Sequence, residues 1–260
     1  MRLSACTVIK DEGLYLREWL EFNILQGFSK HYIYDDHSTD STAEILAPYI
    51  ESGLVEMIGA QLDPPILLPA YQACIEQHLG EDTWLAFIDP DEFLWSPLFP
   101  NVLDALESFP STWGAVGVNW MMFNGSGKQR WENLPVSERF TWRPETQFGA
   151  NHHIKSVIRM NKNVHVGADP HFFQVENGTY SESGEWLDGP FTSEVRTGIL
   201  RINHYFTKSF EECDARARKG QADRVGGFNL DRWNVVPQAL DVEDKEIQRF
   251  LPELRRRLGQ

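Results

Sequence analysis

Three carboxylates directly follow a strongly apolar run. In FIDPDEFLWS, from Phe87 to Ser96, Asp89, Asp91 and Glu92 come after WLAFI. Such a cluster repels itself unless a positive charge is bound within it. The alternate spacing of Asp89 and Asp91 lets both carboxylates reach one ion, and Mg²⁺ or Mn²⁺ suits oxygen ligands. We therefore predict a divalent metal site here rather than a solvated acidic turn, with Glu92 supporting the loop.

A histidine late in the chain has the pattern of an inward-facing residue. GILRINHYF alternates between polar and apolar positions, so that one face carries Leu200, Ile202, His204 and Phe206. His204 therefore points into the protein. It is either a hydrogen-bonded core residue or a ligand.

Composition restricts the partners. The chain has 260 residues, of which 42% are hydrophobic and 24% charged, as in an ordinary soluble domain. Its formal net charge of −14 argues against a nucleic-acid partner, because proteins neutralise phosphates with Lys and Arg. An anionic ligand would have to be held locally, by a metal or a few basic groups.

Cysteine usage and the first residues bear on location. Cys6, Cys74 and Cys213 are widely spaced and include no CxxC pair, which favours a reducing compartment over a disulfide framework or a cysteine zinc site. The start, MRLSACTVIKDEG, turns charged before an apolar segment long enough for a signal peptide or a membrane span. We therefore expect a cytoplasmic protein without an integral membrane segment.

The first part of the chain alternates strands and helices. Short apolar runs predict strands at Leu3–Ile9, His31–Asp36, Leu54–Ile58 and Trp84–Ile88. Helical spacing of apolar residues fills the intervals, and Ser41 with Glu44 has the form of a capping box. Such βα repeats predict an α/β fold, a mostly parallel sheet flanked by helices.

The regularity is weaker in the rest of the chain. Further strands are predicted at Trp113–Phe123, Ile154–Met160 and Gly198–Phe206. KSFEECDARARKG is predicted to be helical, and VEDKEIQRFLPELRRRLGQ to be a terminal amphipathic helix. We accordingly expect a catalytic domain over residues 1–206 and a helical extension over residues 207–260 that packs on it.

Ligands of open α/β sheets bind beyond the carboxyl ends of the strands. The residues found there are mostly acidic: Lys10, Asp11, Asp35, Asp36, Asp89 and Asp91. Such a lining suits a sugar, the edge of a base, and a metal that bridges a diphosphate. The chain has no GxGxxG after its first strand and no GxxxxGKS, so the two common nucleotide motifs are missing.

Two stretches together resemble a known group of enzymes. TVIKDEGLYLREWLEFNILQGFSKHYIYDDHSTDSTAEILAPYIESGLVE, followed by WLAFIDPDEFL, is similar to glycosyltransferases of GT-A fold, specifically the family-92 and family-2-like group with its D-x-D-E-F signature. HHIKSVIR, the isolated His171, and NHYFTKSFEE with the following RKGQAD resemble the C-terminal half of that group. This chain has Asp11 where the family usually has Asn.

The resemblance implies a GT-A fold and a nucleotide-sugar donor, with a UDP-sugar favoured. It places Asp36 against uracil or ribose, with Asp11 also on the nucleotide side. It implies that Asp89, Asp91 and a late histidine, His204, bind Mn²⁺ or Mg²⁺. Lys155 and Lys208 are the candidates to neutralise the charge of the departing diphosphate.

The acceptor, a saccharide or glycoconjugate, must lose a hydroxyl proton. Related inverting enzymes use one Asp or Glu as general base. Glu185 and Asp188, in SGEWLDGP, lie in the corresponding part of the chain, and Asp169 is a further candidate. His171 either lines the site or braces its loop.

Two other classes of function stay open. A metal-dependent phosphohydrolase also places D-x-D after an apolar strand, although it usually has a nucleophilic Asp early in the chain with Thr or Ser following. A non-catalytic carbohydrate-binding protein is suggested by the nine Trp residues.

Overall fold

A computed structural model describes residues 1–59, 65–81, 83–219 and 233–260. Its α-helices are α1 (Gly13–Leu25), α2 (Thr42–Glu51), α3 (Leu67–His78), α4 (Val102–Glu107), α5 (Val136–Arg139), α6 (Phe210–Lys219) and α7 (Leu251–Leu258). Short 3₁₀ helices occupy Gly149–His152 and Glu246–Phe250. The strands are β1 (Arg2–Ile9), β2 (Lys30–Asp35), β3 (Val55–Gly59), β4 (Thr83–Phe87), β5 (Glu92–Trp95), β6 (Ala115–Met122), β7 (Trp142–Arg143), β8 (Ile154–Arg159), β9 (Val164–Val166), β10 (Phe173–Val175), β11 (Thr179–Ser181), β12 (Trp186–Leu187), β13 (Arg201–His204) and β14 (Val242–Glu243).

One large sheet organises the described part of the chain. Its main path runs β12-β11-β6-β8-β4-β1-β2-β3, and β13 joins it by pairing with both β6 and β5. β1, β2, β3 and β4 are parallel to one another, whereas β8 lies antiparallel between β4 and β6. The predicted mostly parallel sheet flanked by helices is confirmed.

The sheet separates two hydrophobic clusters. Successive side chains of a strand point to opposite faces, so Leu3 and Ala5 pack in one cluster while Cys6 and Val8 pack in the other. All of these side chains are buried. Near-continuous apolar strands such as β1 and β4 are what a sheet covered on both faces requires.

The predicted capping box at Ser41 is wrong. Ser41 makes no side-chain cap bond, whereas Asp40 Oδ1 accepts from Thr42 N at 2.9 Å and Asp40 Oδ2 accepts from Gly13 N at 2.9 Å. The carboxylate of Asp40 therefore serves the first turns of two helices. It ties the loop after β2 to the start of α1.

Two predicted elements are shorter than the sequence suggested. β13 covers only Arg201–His204, and its alternation does not separate inside from outside, since all four residues are buried between β5 and β6. The predicted terminal helix over residues 242–260 is instead β14, a 3₁₀ turn and α7. Pro252 lies in the first turn of α7, where its missing N–H costs no helical bond.

The C-terminal residues share the main core. Val236, Ile247 and Leu254 belong to the same hydrophobic cluster as Leu3 and Trp19. The boundary of a separate extension at residue 207 stays a prediction. Among the helices of the described residues, none has the length and apolar character needed to cross a bilayer.

A buried carboxylate joins α1 to α5. Glu18 Oε2 accepts from Val136 N at 2.7 Å, and Glu18 Oε1 accepts from Ser137 N at 3.3 Å. Burial raises the pKa of Glu18 to about 7, against the opposing effect of these two backbone bonds. Burial therefore favours the protonated form of this carboxyl group more than in an exposed glutamate.

Candidate active site

The acidic turn after β4 is held by one buried lysine. Lys155 Nζ lies 2.9 Å from Asp89 Oδ2 and 3.1 Å from Glu92 Oε2. Although burial opposes its charge, the two carboxylates raise the pKa of Lys155. Glu92 Oε2 also accepts from Asp89 N at 2.9 Å, so Glu92 braces the turn from inside, as the sequence predicted.

Asp91 is surrounded by basic groups. Its Oδ1 lies 3.7 Å from His204 Nε2, and its Oδ2 lies 2.6 Å from Arg216 Nη1 and 4.0 Å from Lys208 Nζ. Burial alone would raise the pKa of Asp91, but these charges together hold it well below its usual range. Asp91 is therefore a carboxylate at neutral pH.

Strand register brings His204 to this position. His204 is the last residue of β13, where it pairs with Glu92 on β5 and Met122 on β6. Its side chain is nearly buried, and Nδ1 has no hydrogen-bond partner. The structure thus brings together Asp91 and His204, whereas Asp89 faces Lys155.

The indole ring of Trp120 contacts three histidine side chains. Trp120 stacks on His153 with ring centroids 4.8 Å apart, and its ring also contacts His204 at 4.8 Å and His171 at 5.5 Å. Asp169 Oδ1 accepts from the backbone N–H of His171 and lies 2.9 Å from His171 Nδ1. Burial, with the charge of Lys155, lowers the pKa of His171 to about 3, so its imidazole is neutral.

The residues predicted for the nucleotide lie near the ends of β1 and β2. Asp36 is buried, and its Oδ2 lies 3.1 Å from Lys10 Nζ. Asp11 adopts a positive φ of 49°, and its Oδ1 accepts from Thr39 N at 2.6 Å and Asp40 N at 3.2 Å. The side-chain oxygen of an Asn could accept the same two backbone bonds.

A pocket lies between the start of α1 and the segment from Phe206 to Arg216. It is lined by Asp11, Glu12 and Tyr15 on one side and by Lys208, Glu212 and Arg216 on the other. Burial lowers the pKa of Lys208, although Asp91 opposes this shift. Asp11 and Lys208, far apart in the sequence, therefore face one cavity.

The predicted bases lie elsewhere in the sheet. Glu185 adjoins β12, where its Oε1 accepts from Ser193 N at 3.2 Å, and Asp188 is exposed just after the strand. Among the described residues, no hydrogen bond or ion pair joins either side chain to Asp91 or His204. Their role as general base stays a prediction. Of the three carboxylates considered for that role, Asp169 is the one that contacts reach from His204, through Trp120 and His171.

Sequence reasoning missed three residues of the site. His153 had a detectable signal, because it stands two positions before Lys155 and such residues share a strand face. Arg216 stands four residues after Glu212, hence on the same helix face. Trp120 was not distinguished from the other aromatic residues. Residues 220–223 of the RKGQAD resemblance lie outside the described residues.

Comparison with known proteins gives one family. The sequence model for "Glycosyltransferase family 92" matches residues 4–183. A family-92 protein of Ricinus communis is 24% identical over 214 residues, covering 78% of this chain and 35% of that protein. A family-92 protein from Oryza sativa subsp. japonica is 24% identical over 210 residues, covering 78% of this chain and 33% of that protein. The chain thus spans about a third of these curated relatives.

Solved structures show weaker likeness. Residues 1–349 of S. aureus TarS, in complex with UDP, give a TM-score of 0.43 at 16% identity, covering 62% of this chain and 47% of that one. Glucosyl-3-phosphoglycerate synthase from Mycobacterium tuberculosis, in complex with Mn²⁺, UDP and glucosyl-3-phosphoglycerate, gives a TM-score of 0.32 at 16% identity. The match covers 46% of this chain and 44% of that one.

Proposed function

The chain belongs to glycosyltransferase family 92, and from that premise we propose that it transfers a sugar from a nucleoside-diphosphate donor, with a UDP-sugar favoured. The acceptor is a hydroxyl of a saccharide or glycoconjugate, and the reaction depends on a divalent metal and inverts the anomeric centre. The observation that carries the proposal is the cluster around Asp91, where carboxylates and basic groups meet at the carboxyl end of β4. This is the edge of an open α/β sheet at which ligands bind.

The residues present fit a divalent cation. Asp91 Oδ1 and His204 Nε2 lie only 3.7 Å apart, while the other ring nitrogen of His204, Nδ1, lies 3.8 Å from Glu92 Oε1. Asp89, whose carboxylate is bound to Lys155, would be the third ligand of the proposed set. Mn²⁺ suits this mixed donor set better than Mg²⁺, which prefers oxygen alone. The bound cation would supply charge neutralisation on the diphosphate.

Three basic side chains of the site neutralise the remaining negative charge of the diphosphate in this proposal. Lys155, Lys208 and Arg216 are bound to the carboxylates of the turn in the structure described here. A diphosphate that arrives with its metal ion offers these side chains new anionic oxygens at the same place. Because the site is buried, each such contact stabilises developing negative charge more strongly than it would in water.

The nucleoside lies, in this proposal, against the ends of β1 and β2. Asp36 is buried next to Lys10, so its carboxylate is held in one orientation for a ring N–H or a ribose hydroxyl. Asp11 supports the loop that carries residues 38–40 and borders the pocket that Lys208 and Arg216 share.

Inversion requires one base on the acceptor side. Direct displacement needs a carboxylate within hydrogen-bond reach of the acceptor hydroxyl. Asp169 is the favoured candidate because its partner His171 contacts Trp120, which in turn contacts His204. Glu185 and Asp188 remain the sequence-based alternatives.

The deciding experiment is a screen of nucleotides and nucleotide sugars for thermal stabilisation, each with Mn²⁺, with Mg²⁺ and with EDTA. A ligand that binds only the folded form raises the apparent melting temperature. We expect stabilisation by a UDP-sugar with metal and little with EDTA. Stabilisation by free sugars alone, with no nucleotide effect, would point to a carbohydrate-binding protein, and phosphate release from simple esters would point to a phosphohydrolase.

Stereochemistry follows once a donor and an acceptor are known. NMR of the product should show the inverted anomer, and a retained configuration would overturn the single displacement. Asp169→Asn should abolish transfer while leaving UDP binding intact, with Glu185→Gln and Asp188→Asn as matched carboxamide variants. Loss of transfer in one of those two, with Asp169→Asn active, would return the role of base to the sequence-based candidates.

A further inference from the structure

Three side chains outside the Asp91 cluster converge on one point. His153, Asp169 and His171 each offer one ligand atom, and these atoms all lie within 4.8 Å of one another. Metal–ligand bonds to His and Asp are about 2.0–2.2 Å, so ligand atoms on one ion lie up to roughly 4 Å apart. Among the described residues, this is the one group of three or more His, Cys, Asp or Glu whose ligand atoms all lie within 4.8 Å of one another, slightly wider than a bound ion would hold them.

His153 is held rigidly with a nitrogen unused. Its ring stacks on Trp120 at 4.8 Å and meets the edge of Phe191 at 4.3 Å. Its backbone pairs with that of Phe191, directly before β8. Nδ1 is nevertheless buried and has no hydrogen-bond partner. A buried nitrogen without a hydrogen-bond partner is available to a bound ion or to a water molecule.

The other two ligands come from the loop between β9 and β10. The backbone carbonyl of His171 accepts from both Ser156 N, at 3.1 Å, and Ser156 Oγ, at 2.9 Å, which fixes this loop to β8. The ring of His171 lies 4.5 Å from that of His153. Asp169 is 43% exposed at its side chain, so the group opens to solvent on one side.

The group is distinct from the Asp91 cluster. The indole of Trp120 contacts His153 and His204 alike, so one ring borders both sites. Lys155 is the nearby positive charge, and it is bound to Asp89 and Glu92, which compensate it.

We propose that His153, Asp169 and His171 bind a divalent transition-metal ion, with Zn²⁺ the best match, at a second site beside the donor site. Two imidazoles with one carboxylate suit Zn²⁺ and its neighbours far better than Mg²⁺ or Ca²⁺. Three protein ligands leave the solvent-facing position open, as in sites that exchange a water or a substrate oxygen.

The site has a consequence for the proposed transfer reaction. A cation bound to Asp169 would lower the basicity of the carboxylate that is the favoured base, so metal binding and proton acceptance at Asp169 oppose each other. This consequence rests on the proposed function, whereas the metal site itself does not.

The test is a Co²⁺ titration of the full chain without nucleotide, followed by the visible d–d bands. Asp91→Asn, which removes one of the three ligands proposed for the donor site, should keep bands of an imidazole-bound Co²⁺. His153→Gln and His171→Gln should each weaken binding by more than about tenfold, since loss of even an outer-shell partner typically costs that much. His165→Gln, an exposed histidine on β9, is the matched control and should bind like the parent.

Two results would overturn the site. One is the absence of imidazole-bound Co²⁺ bands in the Asp91→Asn protein, and the other is equal affinity in the His153→Gln, His171→Gln and His165→Gln proteins. Should a histidine variant fail to fold, X-ray absorption of the Zn²⁺-loaded parent chain decides without it. Scattering from two imidazoles supports the site, and an oxygen-only shell rejects it.

Discussion

Arg216 Nη1 lies 2.6 Å from Asp91 Oδ2, so a protein cation holds the carboxylate that we propose as a metal ligand. Lys208 lies 4.0 Å from the same oxygen. A divalent ion and these two side chains therefore compete for Asp91. An incoming diphosphate reverses the balance, because it brings oxygens for both the ion and the basic groups.

Metal and nucleotide should accordingly bind with strong positive coupling. Titration of UDP by calorimetry should give an affinity at least about tenfold weaker in EDTA than in Mn²⁺, a typical coupling between two sites. Equal affinities in both buffers would remove the metal role from Asp89 and Asp91.

Asp91→Asn should fold normally yet lose metal-dependent UDP binding. The amide keeps the size of the side chain and can still accept from Arg216, but it removes the charge that a cation needs. Asp241→Asn, at an exposed position, is the matched control. Circular dichroism checks folding, and calorimetry checks binding. Full metal-dependent binding by the Asp91→Asn protein would show that the D-x-D assignment is wrong.

Asp36→Ala should weaken recognition of the nucleoside and spare the metal. We expect UDP to bind several-fold less tightly, because the substitution removes an acceptor for a ring N–H or a ribose hydroxyl. Binding of Mn²⁺-pyrophosphate, which has neither group, should be unchanged. A parallel loss for both ligands would place Asp36 at the diphosphate instead.

Lys155→Met should destabilise the fold. Lys155 is 2% exposed, and its loss leaves the buried Glu92 without its cation. Breaking a buried pair from one side typically costs about 3–5 kcal/mol. Urea unfolding should show a loss of this order, and Glu92→Gln in the same chain should restore part of it. A loss below about 1 kcal/mol, as for surface pairs, would contradict the structural role.

Glu18→Gln should change how stability depends on pH. The folded pKa of Glu18 is about 7, above its ordinary value of 4.5, so the folded chain binds more protons between these values. Its contribution to stability is thus complete below pH 4.5 and is lost as pH rises through 7. Relative to the parent, Glu18→Gln should gain stability over this window, by on the order of 3 kcal/mol at most.

Thermal unfolding at several pH values measures this effect. The exposed Glu44→Gln serves as control, since it should follow the parent curve throughout. A Glu18→Gln curve parallel to that of the parent would show that Glu18 does not titrate near neutral pH.

Local patterns were sufficient to predict most of the first half of the fold. β1 and β4 are apolar along their length, and few structures other than a covered parallel strand accommodate such runs. Helix caps were less predictable, because Ser41 and Asp40 compete for the same N–H groups and only the packing of α1 decides between them.

The site could be predicted only where its residues are close in sequence. Asp89, Asp91 and Glu92 follow one strand and form a recognisable motif, and the family resemblance pointed to His204. Arg216 reaches Asp91 from α6, and His153 lies just before β8. No local pattern states which helix face or which loop will meet the turn after β4. The preference for Glu185 and Asp188 over Asp169 was based on sequence position, which says little about distance.

The antiparallel strand β8 has a consequence for the order of folding. It is hydrogen-bonded to both β4 and β6, so the two halves of the sheet are connected only after this late part of the chain has arrived. During synthesis, β1 to β4 can assemble early, but one side of β4 stays open until β8 is made. Lys155 lies on that strand, and His153 comes just before it. The chain therefore forms a nascent sheet well before the residues proposed to bind the metal and the diphosphate are all in place, and an unfinished chain exposes an unpaired strand edge that favours aggregation in the interval.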